Sequence, residues 1–309
     1  MDAARNMTDG FLCGWRVKSE LRLPELASWS GPDRSPDIVI RFGPVPDRLN
    51  DVVKERRALQ IDRRGTCLLR VRNVAAYLVT PSEVIIDPWP GAQEAEIRVY
   101  LLGSVFGFLC HQRGLFPLHA SCVAIGGKAA ALCGPTGAGK STTATHLALR
   151  GHRLVADDVC VIDARAVGGP LVLPAFPRLK LTEQAITALK ISTDGIERDR
   201  AGALDKFHYT PTESFIAAPV PLGGIFLLRR SEPGTPEACV RLTRPAEKIA
   251  VLSEEVFRPH VASALHSAQS LLAIQAAIAA ATPIWSISRY FDLANMDRWL
   301  SQIETLVGS

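Results

Sequence analysis

The sequence has no Cys-x-x-Cys pair: its seven cysteines, at 13, 67, 110, 122, 133, 160 and 239, are scattered and odd in number. That excludes a disulfide framework or a zinc finger as the organising device and leaves cysteine as a small apolar residue. A strong charge of either sign is also missing, since 35 Lys and Arg against 31 Asp and Glu give +4 over 309 residues. The basic run KERRALQIDRR (Lys54 to Arg64) therefore reads as a solvated face, with no nucleic-acid partner. The start MDAARNMTDG lacks a basic segment followed by an apolar one, so no secretory signal is read there. From Pro259 to Ser288 there is no Lys, Arg, Asp or Glu, over a length that would span a bilayer. His260, Ser263, His266, Ser267, Gln269, Ser270 and Gln275 interrupt it, and much of the rest is alanine. It is expected to be a buried helix of a cytoplasmic protein without a membrane partner. No internal repeat or low-complexity tract is present.

What is there is ordinary globular composition, 47% apolar and 21% charged, at a length that suggests two domains. The runs DIVIRFG, CLLRVRN, AAYLVT and EVIIDPW are short, β-branched and separated by turn residues, so residues 1–96 are expected to form a small β-rich domain. Residues 97–309 are assigned to a second, α/β domain. It opens with an all-round apolar helix from Ile97 that ends at Gly114. HASCVAI and KAAALC around Gly126 and Gly127 then read as a β-hairpin. Further on, RLVAD, VCVID, PLVLPAF, GGIFLLR and PIWSIS read as strands, with helices around 246–257, 261–281 and 293–307.

The hairpin feeds into Gly134-Pro135-Thr136-Gly137-Ala138-Gly139-Lys140-Ser141, which fits G-x-x-x-x-G-K-[ST] at every specified position. Glycines let such a loop wrap a phosphate chain and turn its amides inward, and the helix after it adds the positive end of its dipole. Lys140 is expected to reach the β- and γ-phosphates, and Ser141 to ligate Mg²⁺, with Thr142 following in the first turn. The strand HRLVADD ends in Asp157 and Asp158. Without the loop these would read as a strand followed by an Asp turn. Beside it, one acid is expected to orient metal and the other to accept a proton from an attacking hydroxyl. His119 alone reads as a histidine on a strand, a core residue as readily as a catalyst.

Taken together, His119, the loop 134–141 and RGHRLVADD (Arg150 to Asp158) resemble the kinase domain of the bacterial HPr kinase/phosphorylases. The resemblance covers about 45 residues closely. It implies a P-loop kinase fold for the second domain, ATP and Mg²⁺ as cofactors, and a homo-oligomer. It also implies that Asp158 deprotonates a substrate serine, with Asp157 supporting it, Ser141 and Asp157 at the metal, and His119 in the active site. Two departures stand out. Where the family carries L-E-I-R-G, with a Mg²⁺-binding glutamate, this chain reads LPAFPRLKL, with Glu183 beyond it as a weak stand-in. The segment associated with phosphorylase activity is not recognisable. Arg178 and Lys180 are expected to meet phosphate or an acidic substrate, and LDKFHY, with Lys206, to be a mobile loop near the site. The chain looks more like the HPr-kinase-related proteins found alongside peptide-modification machinery.

The leading expectation is thus an ATP- and Mg²⁺-dependent serine kinase acting on a peptide or small protein. The alternatives are an ATP-binding regulatory switch or ATPase module, and a kinase of a small molecule such as free serine.

Overall fold

The computed structural model describes residues 7–176, 178–188, 197–199, 206–209, 215–232, 234–290 and 296–308. Two compact units divide the chain: one runs up to Leu115 and takes in His260–Ser267, and the other holds Phe116–Pro259 and Ala268 onward. The protein is mixed α/β, with one large sheet in each unit.

In the first unit the strands are β1 (Thr8–Leu12), β2 (Trp15–Ser19), β3 (Ala27–Ser28), β4 (Ile38–Phe42), β5 (Val52–Arg56), β6 (Leu59–Asp62), β7 (Cys67–Val71), β8 (Ala75–Val79) and β9 (Glu83–Pro88). They form one sheet in the order β3-β1-β2-β4-β9-β8-β7-β6-β5. Alternation sets its inner face: in β9, Val84 and Ile86 are buried while their neighbours are not. The basic run Lys54 to Arg64 folds as the hairpin β5–β6, with its cations outward and only Leu59 and Ile61 buried. The apolar segment after the sheet is helical from α1 (Glu94–Tyr100) through a π-helical stretch (Leu101–Val105) to α2 (Phe106–Gln112). Gly114 at φ 72 ends it, with its N–H on His111 O and the Leu115 N–H on Cys110 O. This helix groups with the N-terminal sheet, because Tyr77 Oη donates to Ile97 O (3.0 Å) and Gln112 Nε2 to Val79 O (2.9 Å).

In the second unit the order is β10 (Phe116–Leu118), β11 (Ser121–Ile125), β12 (Lys128–Cys133), α3 (Lys140–Leu149), β13 (Arg153–Ala156), β14 (Cys160–Asp163), β15 (Leu171–Leu173), β16 (Leu179–Thr182) and α4 (Glu183–Ala188). There follow β17 (Glu197–Asp199), β18 (Lys206–Tyr209), β19 (Val220–Arg230), β20 (Ala238–Arg241), α5 (Pro245–Glu255), then α6 (Pro259–Leu265), which from His260 on is counted with the first unit, and α7 (Ala268–Ala281), β21 (Ile284–Arg289) and α8 (Met296–Gly308). The main sheet runs β10-β14-β15-β19-β12-β11-β13, with β21 on the C-terminal half of β19 and β20 on β21. Among the described strand pairs of this sheet β12–β19 and β19–β21 are parallel and the others antiparallel, so the sheet is mixed. Gly126 (φ 56) and Gly127 (φ 81) turn β11 into β12 as a two-residue hairpin.

Four sequence expectations need correction. His119 lies in the bend between β10 and β11, not on a strand. The helix expected over 261–281 is broken into α6 and α7, with the expected strand following as β21, and among the described residues no single helix is long and apolar enough to cross a membrane. Nor is α7 a buried helix: it buries Gln275, Ile278 and Ala279 and leaves Leu272 52% exposed. Alanine favours helix without offering much surface to bury, so its abundance says helix but not where the helix sits. In LDKFHY, Lys206–Tyr209 is strand β18 between β16 and β17, with Phe207 3% exposed, rather than a mobile loop. Leu204 and Asp205 lie outside the described residues.

One core cluster sits on the α3 side of this sheet. Ala144 and Leu147 of α3 meet Ala130 and Leu132 of β12 and Trp299, Leu300, Ile303 and Val307 of α8. Small residues on β12, Ala129 to Ala131, leave room for the following helix to pack against the strand.

Candidate active site

The loop leaving β12 is shaped by glycine. Gly134 has φ 134, and a Cβ there would sit 2.3 Å from Leu228 O of the neighbouring strand, so only glycine fits. Gly137 (φ 85) and Gly139 (φ 87) take the left-handed conformation, and Gly139 stands at the N-cap of α3. The Ala138 N–H closes a turn onto Pro135 O at 3.1 Å. Thr143 anchors the far side: its N–H and hydroxyl both donate to Gly139 O (2.8 and 2.7 Å), and its hydroxyl accepts from Arg289 Nη2 at 2.7 Å. Lys140 folds back so that Nζ donates to Gly134 O at 2.6 Å. Burial lowers its pKa, against the nearby charge of Glu255 and the two aspartates.

Asp157 and Asp158 follow β13, which lies along β11. Asp157 is 5% exposed and fully engaged: Oδ1 accepts from Ser121 Oγ (2.5 Å) and Ser141 Oγ (3.0 Å), and Oδ2 from the Lys180 N–H (2.8 Å). Burial pushes its pKa above the ordinary carboxylate value despite those bonds. Asp158 lies in the left-handed region at φ 69, in a three-residue turn closed by the Val159 N–H on Asp157 O (2.8 Å). That turn sends the second carboxylate to new partners. His119 Nδ1 is 3.3 Å from Oδ1 and Lys180 Nζ 3.3 Å from Oδ2. Burial would raise the Asp158 pKa, but the His119 hydrogen bond and the Lys180 charge outweigh it and hold the carboxyl well below its usual range. His119 Nδ1 also lies 3.2 Å from Asp158 O. Both neighbours are acceptors, which puts the hydrogen on Nδ1 and turns Nε2 away from Asp158.

Strand β16 supplies the opposite wall by simple alternation. Leu179 and Leu181 enter the core, while Lys180 and Thr182 line the cleft with His119, the two aspartates and the loop residues Pro135, Thr136, Gly137, Gly139, Lys140, Ser141 and Thr142. Gly134 and Ala138 lie beneath the loop, buried. Arg178 does not line the cleft: it is 5% exposed with its guanidinium 5.0 Å from the centre of the Phe176 ring. Lys206 pairs with Thr182 in register, and its side chain lies outside the described residues. Glu183 starts α4, exposed and outside the cleft lining.

Two residues of this arrangement were missed from the sequence. Ser121 bonds Asp157 from β11, and nothing in its spacing marks it. Glu255, at the end of α5, accepts the Gly134 N–H on Oε2 (3.1 Å) and the His119 N–H on its carbonyl (2.8 Å). It thereby joins the loop to the histidine across more than a hundred residues of chain.

The donor set suits a hard divalent cation. Ser141 Oγ and Asp157 Oδ1 present oxygen only, at one spot beside the helix N-terminus, where Mg²⁺ characteristically takes one or two protein ligands and leaves the rest to phosphate and water. Among the described residues no group of three His, Cys, Asp or Glu could hold a metal.

No protein-family profile matches the chain, and no curated protein matches it. Among solved structures, the Hpr(Ser) kinase/phosphatase from Coxiella burnetii aligns over 62% of this chain and 93% of its own, at 13% identity and a TM-score of 0.32. At that score the likeness is loose.

Proposed function

We propose that the cleft binds a nucleoside triphosphate, ATP by expectation, and transfers its terminal phosphoryl group to a serine hydroxyl of a peptide or small protein. The reading rests on one observation above the rest: two adjacent acids with opposite surroundings beside a glycine-rich loop. Asp157 is locked to Ser141, while Asp158 faces the cleft between His119 and Lys180.

The loop amides and the α3 N-terminus receive the phosphates, and Lys140 exchanges its bond to Gly134 O for the β- and γ-oxygens. Mg²⁺, held by Ser141 and Asp157, would neutralise charge on those oxygens. Asp158 is ionised throughout the neutral range and accepts the hydrogen of the acceptor hydroxyl, orienting its oxygen for in-line attack. The new bond forms between that oxygen and the γ-phosphorus, and the bond from the γ-phosphorus to the bridging oxygen breaks. The diphosphate leaves, and the hydroxyl proton passes to Asp158. Lys180 and His119, both on Asp158 in the resting site, are within reach of the transferring group's charge.

The test is Asp158→Asn. Asparagine tolerates φ 69 and keeps the side-chain shape, so the variant should fold and bind ATP with unchanged affinity. Transfer to a serine peptide should fall by at least about 100-fold, within the usual range for a positioned acid–base group. Normal turnover in the variant would remove the role given to Asp158.

A further inference from the structure

At the other end of the same sheet lies a second cavity, of about 400 Å³, floored by Trp285 and walled by Leu222, Pro283, Leu306 and Val307. It opens where β12 begins, at Lys128, whereas the glycine loop leaves where β12 ends, at Cys133. Six strand residues separate the two mouths by roughly 20 Å. Glycine makes the space. A Cβ on Gly223 would meet Lys128 Cβ at 2.7 Å, and one on Gly224 would meet the Trp285 ring at 2.7 Å. Trp285 is in turn held by stacking on Phe226, with centroids 5.0 Å apart and planes within 8°.

Two exposed cations line it, Lys128 and Arg241, and Arg241 lies directly across the strand pair from Trp285. Among the described residues neither side chain has a hydrogen bond or an ion pair. Lys248, near enough to feel the charge of Arg241, is turned into the carbonyls of Ala279 (2.7 Å) and Thr282 (3.2 Å), and among the described residues no carboxylate lines the cavity. A cavity of this size, its lining divided about evenly between polar and apolar surface, with a tryptophan in its floor and two unneutralised cations, has the make-up of a small-ligand site in which polar groups orient an apolar body.

We propose that this cavity binds a small organic anion, a carboxylate or sulfonate with an aromatic or branched apolar body, its charge on Lys128 and Arg241 and its body over Trp285. The site is independent of the phosphoryl-transfer reading, since it shares no residue with that cleft.

The probe is 1-anilinonaphthalene-8-sulfonate, titrated into the full-length folded protein, with 4-phenylbutyrate as competitor. One saturable site per chain is expected, with quenching of tryptophan emission that is largely lost in Trp285→Phe. Phenylbutyrate should displace the dye. Lys128→Glu and Arg241→Glu, both at exposed positions where folding is not at risk, should each weaken binding about tenfold or more. ATP affinity should not change in either. Unaltered dye affinity in both charge reversals, or binding that never saturates, would overturn the assignment. Displacement by an acidic peptide but not by phenylbutyrate would overturn it in favour of a peptide groove.

Discussion

Asp157 and Asp158 are neighbours in the chain and opposites in environment, and the difference can be measured. Burial raises the folded-state pKa of Asp157 above the ordinary 3.8, so its ionised form costs folding free energy at neutral pH. That cost is full above the folded pKa and vanishes below the unfolded one. Asp157→Asn, neutral and of the same shape, is therefore expected to raise the melting temperature by a few degrees at pH 7.5, measured without Mg²⁺ or nucleotide. The gain should disappear as the pH falls towards 4. Mg²⁺-dependent turnover should be lost in the same variant, because Ser141 loses its charged partner. An unchanged or lowered melting temperature at pH 7.5 would count against burial as the dominant influence on this acid. The loop glycines separate in a similar way. Gly134→Ala drives a methyl into Leu228 O and should abolish nucleotide binding, whereas Gly137→Ala meets open space and costs about 1–2 kcal/mol of positive-φ strain. Equal effects of the two on ATP affinity, read by calorimetry, would contradict this geometry.

At the scale of elements, β16 shows how a short strand serves core and cleft together. Leu181 is fully buried beneath α3, so Leu181→Ala should lower stability by about 2–5 kcal/mol in denaturant titrations. Lys180 points the other way. Lys180→Met keeps the stem and the backbone bond to Asp157 but removes a charge that favours the Asp158 carboxylate, so its stability loss should be present at neutral pH and fade in acid, while phosphoryl transfer falls at least tenfold. A loss in Lys180→Met that does not change with pH, as expected for Leu181→Ala, would mean that the alternation has been misread. Elements like these were legible in the sequence where the pattern was local. The Gly126-Gly127 hairpin, the glycine loop and the helix ending at Gly114 each announce themselves within a few residues. The strand β18 did not, because LDKFHY reads as polar and irregular until β16 and β17 bracket it. The exposure of α7 was equally hidden, since helix propensity and burial are separate properties and alanine reports only the first.

For the whole molecule, what the sequence left unread is what spans distance. Lys180 reaches Asp158 across 22 residues, Ser121 reaches Asp157 across 36, and Glu255 reaches Gly134 across 121. No spacing rule links such pairs; the sheet order brings them together. The N-terminal sheet follows the same logic, with β4 pairing in parallel to β9 across more than forty residues. Binding at the cleft should register in the unit that contains it. At a hundred times its Kd, Mg–ATP stabilises a folded site by about 2.7 kcal/mol, enough to raise a thermal transition by several degrees. Lys140→Met should lose most of that shift. The central claim, that phosphate passes from a nucleotide to a hydroxyl carried by another molecule, is tested most directly by following γ-labelled ATP. The protein is incubated with Mg²⁺ and, separately, the HPr protein, serine peptides and free serine, with Asp158→Asn as the control. The account predicts label on a serine of a peptide or protein acceptor, lost in the control. Label appearing only as inorganic phosphate, whatever acceptor is offered, would contradict it and identify the cleft as a hydrolytic switch.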